Sequence, residues 1–222
     1  MKTIQKIILL TTVLLILSFP RAYAKTNSIN EAPASGRILI LGLNDNIRSD
    51  YYYKGLIAEE SGIPEDSLEV VFNRIISANI AQSRVAFIPV VNTEKCTNVL
   101  ANIKVKGEQD ECTADLSKVD NQCFKDLLTT AGAEYVLILN RHFLRKQDEP
   151  FNTIFYFISY SLYNKEKTEI SSGSNYFTAM HLESAETMKK TSRKTSDKIA
   201  SAILKLVAQQ PAPSAALLLS KN

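Results

Sequence analysis

Ala131-Gly132-Ala133-Glu134-Tyr135-Val136-Leu137-Ile138-Leu139 is the stretch on which the fold turns. Before it, Phe124, Leu127, Leu128 and Ala131 recur at three- and four-residue steps, which predicts an amphipathic helix over about 121–131. Gly132 tolerates the left-handed backbone that closes a helix. After it, an apolar, partly branched run predicts a strand over 133–143 that is covered on both faces. A helix that hands over to a strand buried on both sides belongs to a layered α/β domain.

Working outward, Thr153 to Tyr163 and Glu169 to Thr178 predict two more strands, separated by turns at 147–151 and 164–168. With the strand over 133–143 they make an antiparallel meander. Upstream, Ile38-Leu39-Ile40-Leu41 predicts another buried strand over 37–43, followed by a loop or helix start over 44–53. Leu68, Val71, Phe72, Ile75, Ile76 and Ile80 mark a helix with one apolar face, with Pro64, Glu65 and Asp66 at its start. Val85 to Val91 predicts a strand that Pro89 confines to an edge or a bulge. A long helix over 184–209 closes the chain, with Ile199, Ala202, Ile203, Leu206 and Val207 as its apolar stripe. The fold class is therefore α/β in the α+β sense, with a mixed sheet of about five strands flanked by helices.

The N-terminal residues indicate the compartment. Lys2 and Lys6 precede an apolar run from Ile7 to Phe19, and Ala22-Tyr23-Ala24 supplies small residues for cleavage after Ala24. Residues 1–24 thus read as a removable secretory signal, and the run is too short to span a hydrocarbon core of ~30 Å. No Cys follows it, which argues against a lipid anchor. Residues 25–36 read as a flexible lead-in, 37–210 as a single domain with a cysteine-bearing insertion at 92–120, and 211–222 as a tail. The net charge is +3, from 26 Lys and Arg against 23 Asp and Glu. Lys2, Lys6 and Arg21 leave with the signal, so 23 cations face 23 anions in the remainder. That balance removes the electrostatic reason to expect a nucleic-acid partner. The expected location is periplasmic or secreted.

Cys96, Cys112 and Cys123 lie in one segment of a chain expected in an oxidising compartment. All three pairings are open from sequence. The helical pattern places Cys123 with Phe124 and Leu127 as a buried or free thiol, so Cys96–Cys112 is the favoured disulfide. That bridge would close a loop of about sixteen residues and contribute ~3 kcal/mol on the chain-entropy model. Neither a redox Cys-x-x-Cys pair nor a phosphate loop, dinucleotide fingerprint, nucleophile elbow or zinc-protease motif is present. Only His142 and His181 are available for proton or metal chemistry. The expectation is no catalytic residue, no cofactor and no metal.

Two aromatic clusters and one basic run remain for binding. Tyr51-Tyr52-Tyr53 cannot all face one core. In the strand over 153–163, Ile154, Tyr156, Ile158, Tyr160 and Leu162 share one face, and Phe155, Phe157, Ser159, Ser161 and Tyr163 the other. The second face begins aromatic and turns polar, which suits cover at one end and a binding surface at the other. Lys189, Lys190, Arg193 and Lys194 concentrate positive charge in the first half of the closing helix and suggest weak contact with an anionic membrane surface.

The element order, with Ala131 to Leu139 at its centre and Tyr160-Ser161-Leu162-Tyr163-Asn164-Lys165 entering the meander turn, resembles the α/β domain of bacterial envelope proteins of the TolB N-terminal, CsgG and LpoB type. The likeness covers roughly 37–209. The chain departs from that pattern in lacking the Asp and Gly usual in the meander turn, in its cysteine-bearing insertion, and in having no lipid-attachment Cys. The resemblance implies a non-enzymatic protein that works through an envelope protein partner. A small-ligand or envelope-polymer binder is the alternative, and a small hydrolase a more remote one.

Overall fold

In the computed structural model, which describes residues 36–84, 86–89 and 94–210, the opening apolar run is strand β1 (Ile38–Gly42). It is followed by β2 (Ile47–Ser49), helix α1 (Lys54–Ser61), a 3-10 turn over Glu65–Ser67, α2 (Leu68–Ser83) and β3 (Phe87–Ile88). The insertion folds as α3 (Glu94–Ala101) and the strands β4 (Lys104–Glu108) and β5 (Glu111–Asp115). Then come α4 (Asn121–Ala131), β6 (Tyr135–Gln147), β7 (Thr153–Asn164), β8 (Glu169–Ala179), α5 (Ala185–Thr191) and α6 (Arg193–Ala208). The expected signal at 1–24 with its cut after Ala24, the lead-in before Gly36 and the tail at 211–222 lie outside the described residues.

One mixed sheet runs β3-β1-β6-β7-β8, with β2 also paired to β6. β1 lies parallel to β3 and β6, and β6-β7-β8 form the antiparallel meander. The fold class expected from sequence is the one observed. β3 is a two-residue edge beside Pro89, as a proline in that run requires. The turn of α4 into β6 also follows expectation. Asp120 caps the helix by accepting from the Cys123 amide at 2.8 Å, and Gly132 sits at φ 61°.

Two cores flank the sheet. On one face α2, α5 and α6 bury Phe72, Ile76, Ile80, Met188, Ile199 and Ile203 against Ile40, Leu137, Ile158 and Leu162. On the other face α3, α4 and the β4-β5 hairpin bury Val99, Phe124, Leu128 and Leu116 against Leu39, Leu41, Val136 and Ile138. Each fully buried large side chain contributes about 1.5–3 kcal/mol, and Phe72 and Phe124 are among the largest. Backbone and helix meet most closely at Gly42, where an added Cβ would lie 2.3 Å from Cγ of Asn73. Only glycine admits α2 at that distance.

The structure adds two features that the sequence reading did not resolve and corrects one expectation. The polar segment over 104–115 is an antiparallel hairpin, paired from Lys104↔Asp115 to Glu108↔Glu111. The closing helix is two helices, broken at the fully buried Ser192. There the Ser192 hydroxyl donates back to the Met188 carbonyl at 2.6 Å and accepts from the Asn79 amide at 2.9 Å, a local bond that competes with continued helix. Finally, β6 carries a bulge between Leu139 and Arg141. The extra residue, Asn140, is fully buried, and its amide donates to the Cys112 carbonyl at 2.8 Å and to Ser161 Oγ at 2.9 Å. Ser161 Oγ also accepts from the Ala114 amide. This cluster fastens the hairpin to the sheet.

Asn140→Ala removes both donated bonds at a buried site and is expected to lower stability by about 2 kcal/mol. Urea unfolding measures the loss. Amide exchange should accelerate at Cys112 and Ala114 first, and an unchanged exchange pattern would mean that the hairpin docks by other contacts.

Candidate functional site

The bulge decides what the far half of β6 shows to each side. Beyond Asn140, His142 and Leu144 point into the α2-α5-α6 core, and Phe143 and Arg145 point to the other face. Their cross-strand neighbours there are Phe157 and Phe155 on β7, and Phe157 in turn faces Tyr176 on β8. Phe155 and Phe157 stack at 6.0 Å, and Tyr176 lies 5.5 and 5.3 Å from them. The Arg145 guanidinium sits 4.9 Å from the Phe157 ring centre and 5.5 Å from that of Phe143. It is held by Asp110 and Gln109 in the β4-β5 turn, both at 2.9 Å. Cation and ring quadrupole attract, and the carboxylate fixes the cation over the rings.

This is the aromatic beginning of the face foreseen from sequence. Its polar end, Ser159, Ser161 and Tyr163, is buried, and the cover is the hairpin rather than a helix. The aromatic end is half open, with Phe155 and Phe157 partly exposed and Tyr176 51% exposed. Sequence singled out Phe155 and Phe157 but missed Phe143, Arg145 and Tyr176. The signal available was the break in alternation at Asn140-Arg141, where an apolar strand turns polar for two residues.

The tyrosine triplet lies at the end of the sheet where β6 finishes. Tyr51 and Tyr53 are exposed, and Tyr52 is half-buried against the core. Tyr51 meets Tyr52 edge-on at 4.9 Å, and the Lys146 ammonium lies 4.2 Å from its ring centre.

The three cysteines form no disulfide. Cys96 and Cys112 are buried in the core beneath α3 and the hairpin, where the Cys112 thiol donates to the Gln109 carbonyl. Burial raises the pKa of both thiols. Cys123, expected as a buried or free thiol, is free and exposed in the first turn of α4, because the buried stripe of the helix is Phe124, Leu127 and Leu128. Its thiol is held protonated chiefly by Asp120 beside it. None of the three has the low pKa of a nucleophilic cysteine.

His142 is buried, with Nε2 2.8 Å from Asn73 Oδ1. Asn73 Nδ2 donates to the Leu43 carbonyl and Asn46 Nδ2 donates to Asn73 Oδ1, so the imidazole carries its proton on Nε2. Desolvation lowers its pKa from 6.5 to about 4. It is a neutral strut between β6 and α2. His181 is exposed on the β8-α5 connection.

An open groove of about 410 Å³ lies between β5 and the β7-β8 turn, lined by Lys106, Asp115, Tyr163, Lys167 and Glu169 among others. Its charges serve the fold. Lys106 pairs with Asp115 at 2.9 Å, Lys167 donates to the Leu116 and Val119 carbonyls, and the Tyr163 hydroxyl donates to the Ala114 carbonyl. Among the described residues, no three His, Cys, Asp or Glu side chains are grouped to hold a metal ion.

No protein-family model and no curated protein matches the chain. Among solved structures it is similar to the hypothetical protein CT253 from Chlamydia trachomatis, with 10% identity and a TM-score of 0.48 over 77% of this chain and 98% of that one. It is also similar to lipoprotein GNA1162 from Neisseria meningitidis, at 12% identity and a TM-score of 0.35, over 78% and 99%. A PelC dodecamer from Paraburkholderia phytofirmans is similar at 8% identity and 0.34, over 79% and 91%. These are distant likenesses, and no specific tie to TolB, CsgG or LpoB comes from them.

Two measurements check the site chemistry. The folded chain binds no proton at His142 until the pH nears 4, whereas the unfolded chain binds one below about 6.5. Stability from this group is therefore complete above pH 6.5 and is lost as the pH falls towards 4, by about 3 kcal/mol in all. Urea midpoints for the parent and for His142→Gln should diverge at pH 7 and converge at pH 4. Maleimide should add once to the folded chain, at Cys123, and three times after unfolding without reductant. A Cys96–Cys112 bond would hold the second number at one.

Proposed function

We propose that the chain is a non-enzymatic protein of the bacterial envelope or its surroundings that binds a protein partner across the aromatic face of β6-β7-β8. The half-open cluster of Phe143, Phe155, Phe157 and Tyr176 around Arg145 carries this reading. Aromatic rings and arginine are the side chains that dominate binding energy at protein interfaces. Arg145 is already held by Asp110, so little side-chain freedom is lost when a partner covers it. The guanidinium also lies over ring surface that a sugar would need for stacking, which favours a protein over an envelope polymer. Against a hydrolase stand the engaged state of His142 and the three raised thiols. The envelope or secreted setting rests on the signal-like residues 1–24.

Photo-crosslinking in the producing cell tests the reading. A benzophenone side chain at Tyr176 should give one reproducible protein adduct, and the same group at Ser201, on the opposite layer, should not. Arg145→Ala or Phe157→Ala should reduce the Tyr176 adduct about tenfold, the equivalent of ~1.4 kcal/mol. Equal adducts at both positions, or insensitivity to Arg145, would overturn it.

A further inference from the structure

We infer that the outer face of α5 and α6 docks onto an anionic phospholipid bilayer, with the aromatic face of the sheet turned away from it. Lys189, Lys190, Arg193, Lys194, Lys198 and Lys205 are all exposed on these two helices. The acids among them are Glu186 and Asp197, and Glu186 is already paired with Lys190 at 2.8 Å. Lys194, Lys198 and Lys205 follow one another at four- and seven-residue steps, so they form a single stripe along α6.

The helices cannot roll this charge out of view. Met188, Ile199, Ala200, Ile203 and Val207 are in the core beneath them. The Asn79 amide holds the Lys189 carbonyl at 2.9 Å, and the Thr195 hydroxyl donates to the Tyr176 carbonyl at 2.8 Å. The cations are thus fixed on the solvent side of one layer.

The chemistry of the face selects the occupant. A nucleic-acid strand would call for rings on which bases stack, and a protein interface for an apolar or aromatic centre with few lysines. Among the described residues, the exposed large apolar side chains Tyr51, Tyr53, Val70, Phe151, Tyr176 and Met180 all lie outside α5 and α6. A lysine-rich face without such a centre suits a surface that offers many phosphates and demands no fixed geometry, which is a leaflet containing acidic lipid. Because side chains alternate across a strand, Phe143, Phe155, Phe157 and Tyr176 then point to the opposite side. This inference is independent of the partner reading, which uses that other face.

Vesicle sedimentation of the chain as purified from producing cells tests it. Vesicles of equal phosphatidylglycerol and phosphatidylcholine should retain the chain, and phosphatidylcholine alone should not. Binding should fall steeply as salt shortens the Debye length from ~10 Å to ~3 Å. A variant with Lys189→Gln, Lys190→Gln, Arg193→Gln and Lys194→Gln should bind the acidic vesicles at least about tenfold more weakly, with its thermal unfolding unchanged because all four residues are exposed. If that variant is unstable, Lys194→Gln, Lys198→Gln and Lys205→Gln make the same test. Equal binding to neutral vesicles, no binding to acidic ones, or full retention by the variant would overturn the inference. So would capture by soluble polyphosphate or by an acidic protein without binding to vesicles. None of these outcomes bears on crosslinking at Tyr176.

Discussion

One extra residue in the middle of β6 sets the rest of the structure. In an unbroken strand the alternation that buries Leu137 and Leu139 would carry Arg141 into the core. Asn140 takes up a bulge instead, and the parity beyond it changes. His142 and Leu144 then fall inside, while Phe143 and Arg145 fall in line with Phe155 and Phe157. The same residue uses its side-chain amide to hold Cys112 and Ser161, so the bend that builds the aromatic face also anchors the hairpin that covers the face's other end.

What was legible in the sequence follows from period and punctuation. β1 and β6 announce themselves as continuous apolar runs, β7 by alternation, α2 and α4 by apolar residues three and four positions apart, and β8 as a strand-like run between polar turns, with Gly132 or Pro64 marking helix ends. The hairpin does not, since half of the residues from Lys104 to Asp115 are charged and only Cys112 and Ala114 are buried along it. β2 is invisible for a similar reason, with Ile47 its one buried residue. α3, only eight residues long, gives too few turns to show a stripe. The break at Ser192 combines its local bond to the Met188 carbonyl with one from Asn79, far off in the chain, which no local pattern encodes.

The candidate binding face was half legible. Alternation along β7 gives Phe155 and Phe157, but Phe143 and Arg145 join them only through the bulge, and Tyr176 only through pairing with β8. The cysteines show the opposite error. Their closeness in sequence suggested a bond, yet Cys96 sits on a helix and Cys112 on a strand, each serving as a small buried apolar group. The titratable groups are likewise spent on structure: Lys167 ties two loop carbonyls and His142 braces a helix against a strand.

The sheet is a single layer with a helical layer of lysines behind one face and a ring cluster on the other, so the molecule has a front and a back. Coulomb forces act over ~8 Å in physiological salt, before surfaces touch. Dispersion and ring contacts act only at touching distance. The net charge of the whole sequence is only +3, from 26 cations against 23 anions, so the placement of the cations on α5 and α6, more than their number, sets the local field. On the membrane reading proposed above, the lysines would meet an acidic surface first and leave the rings facing outward.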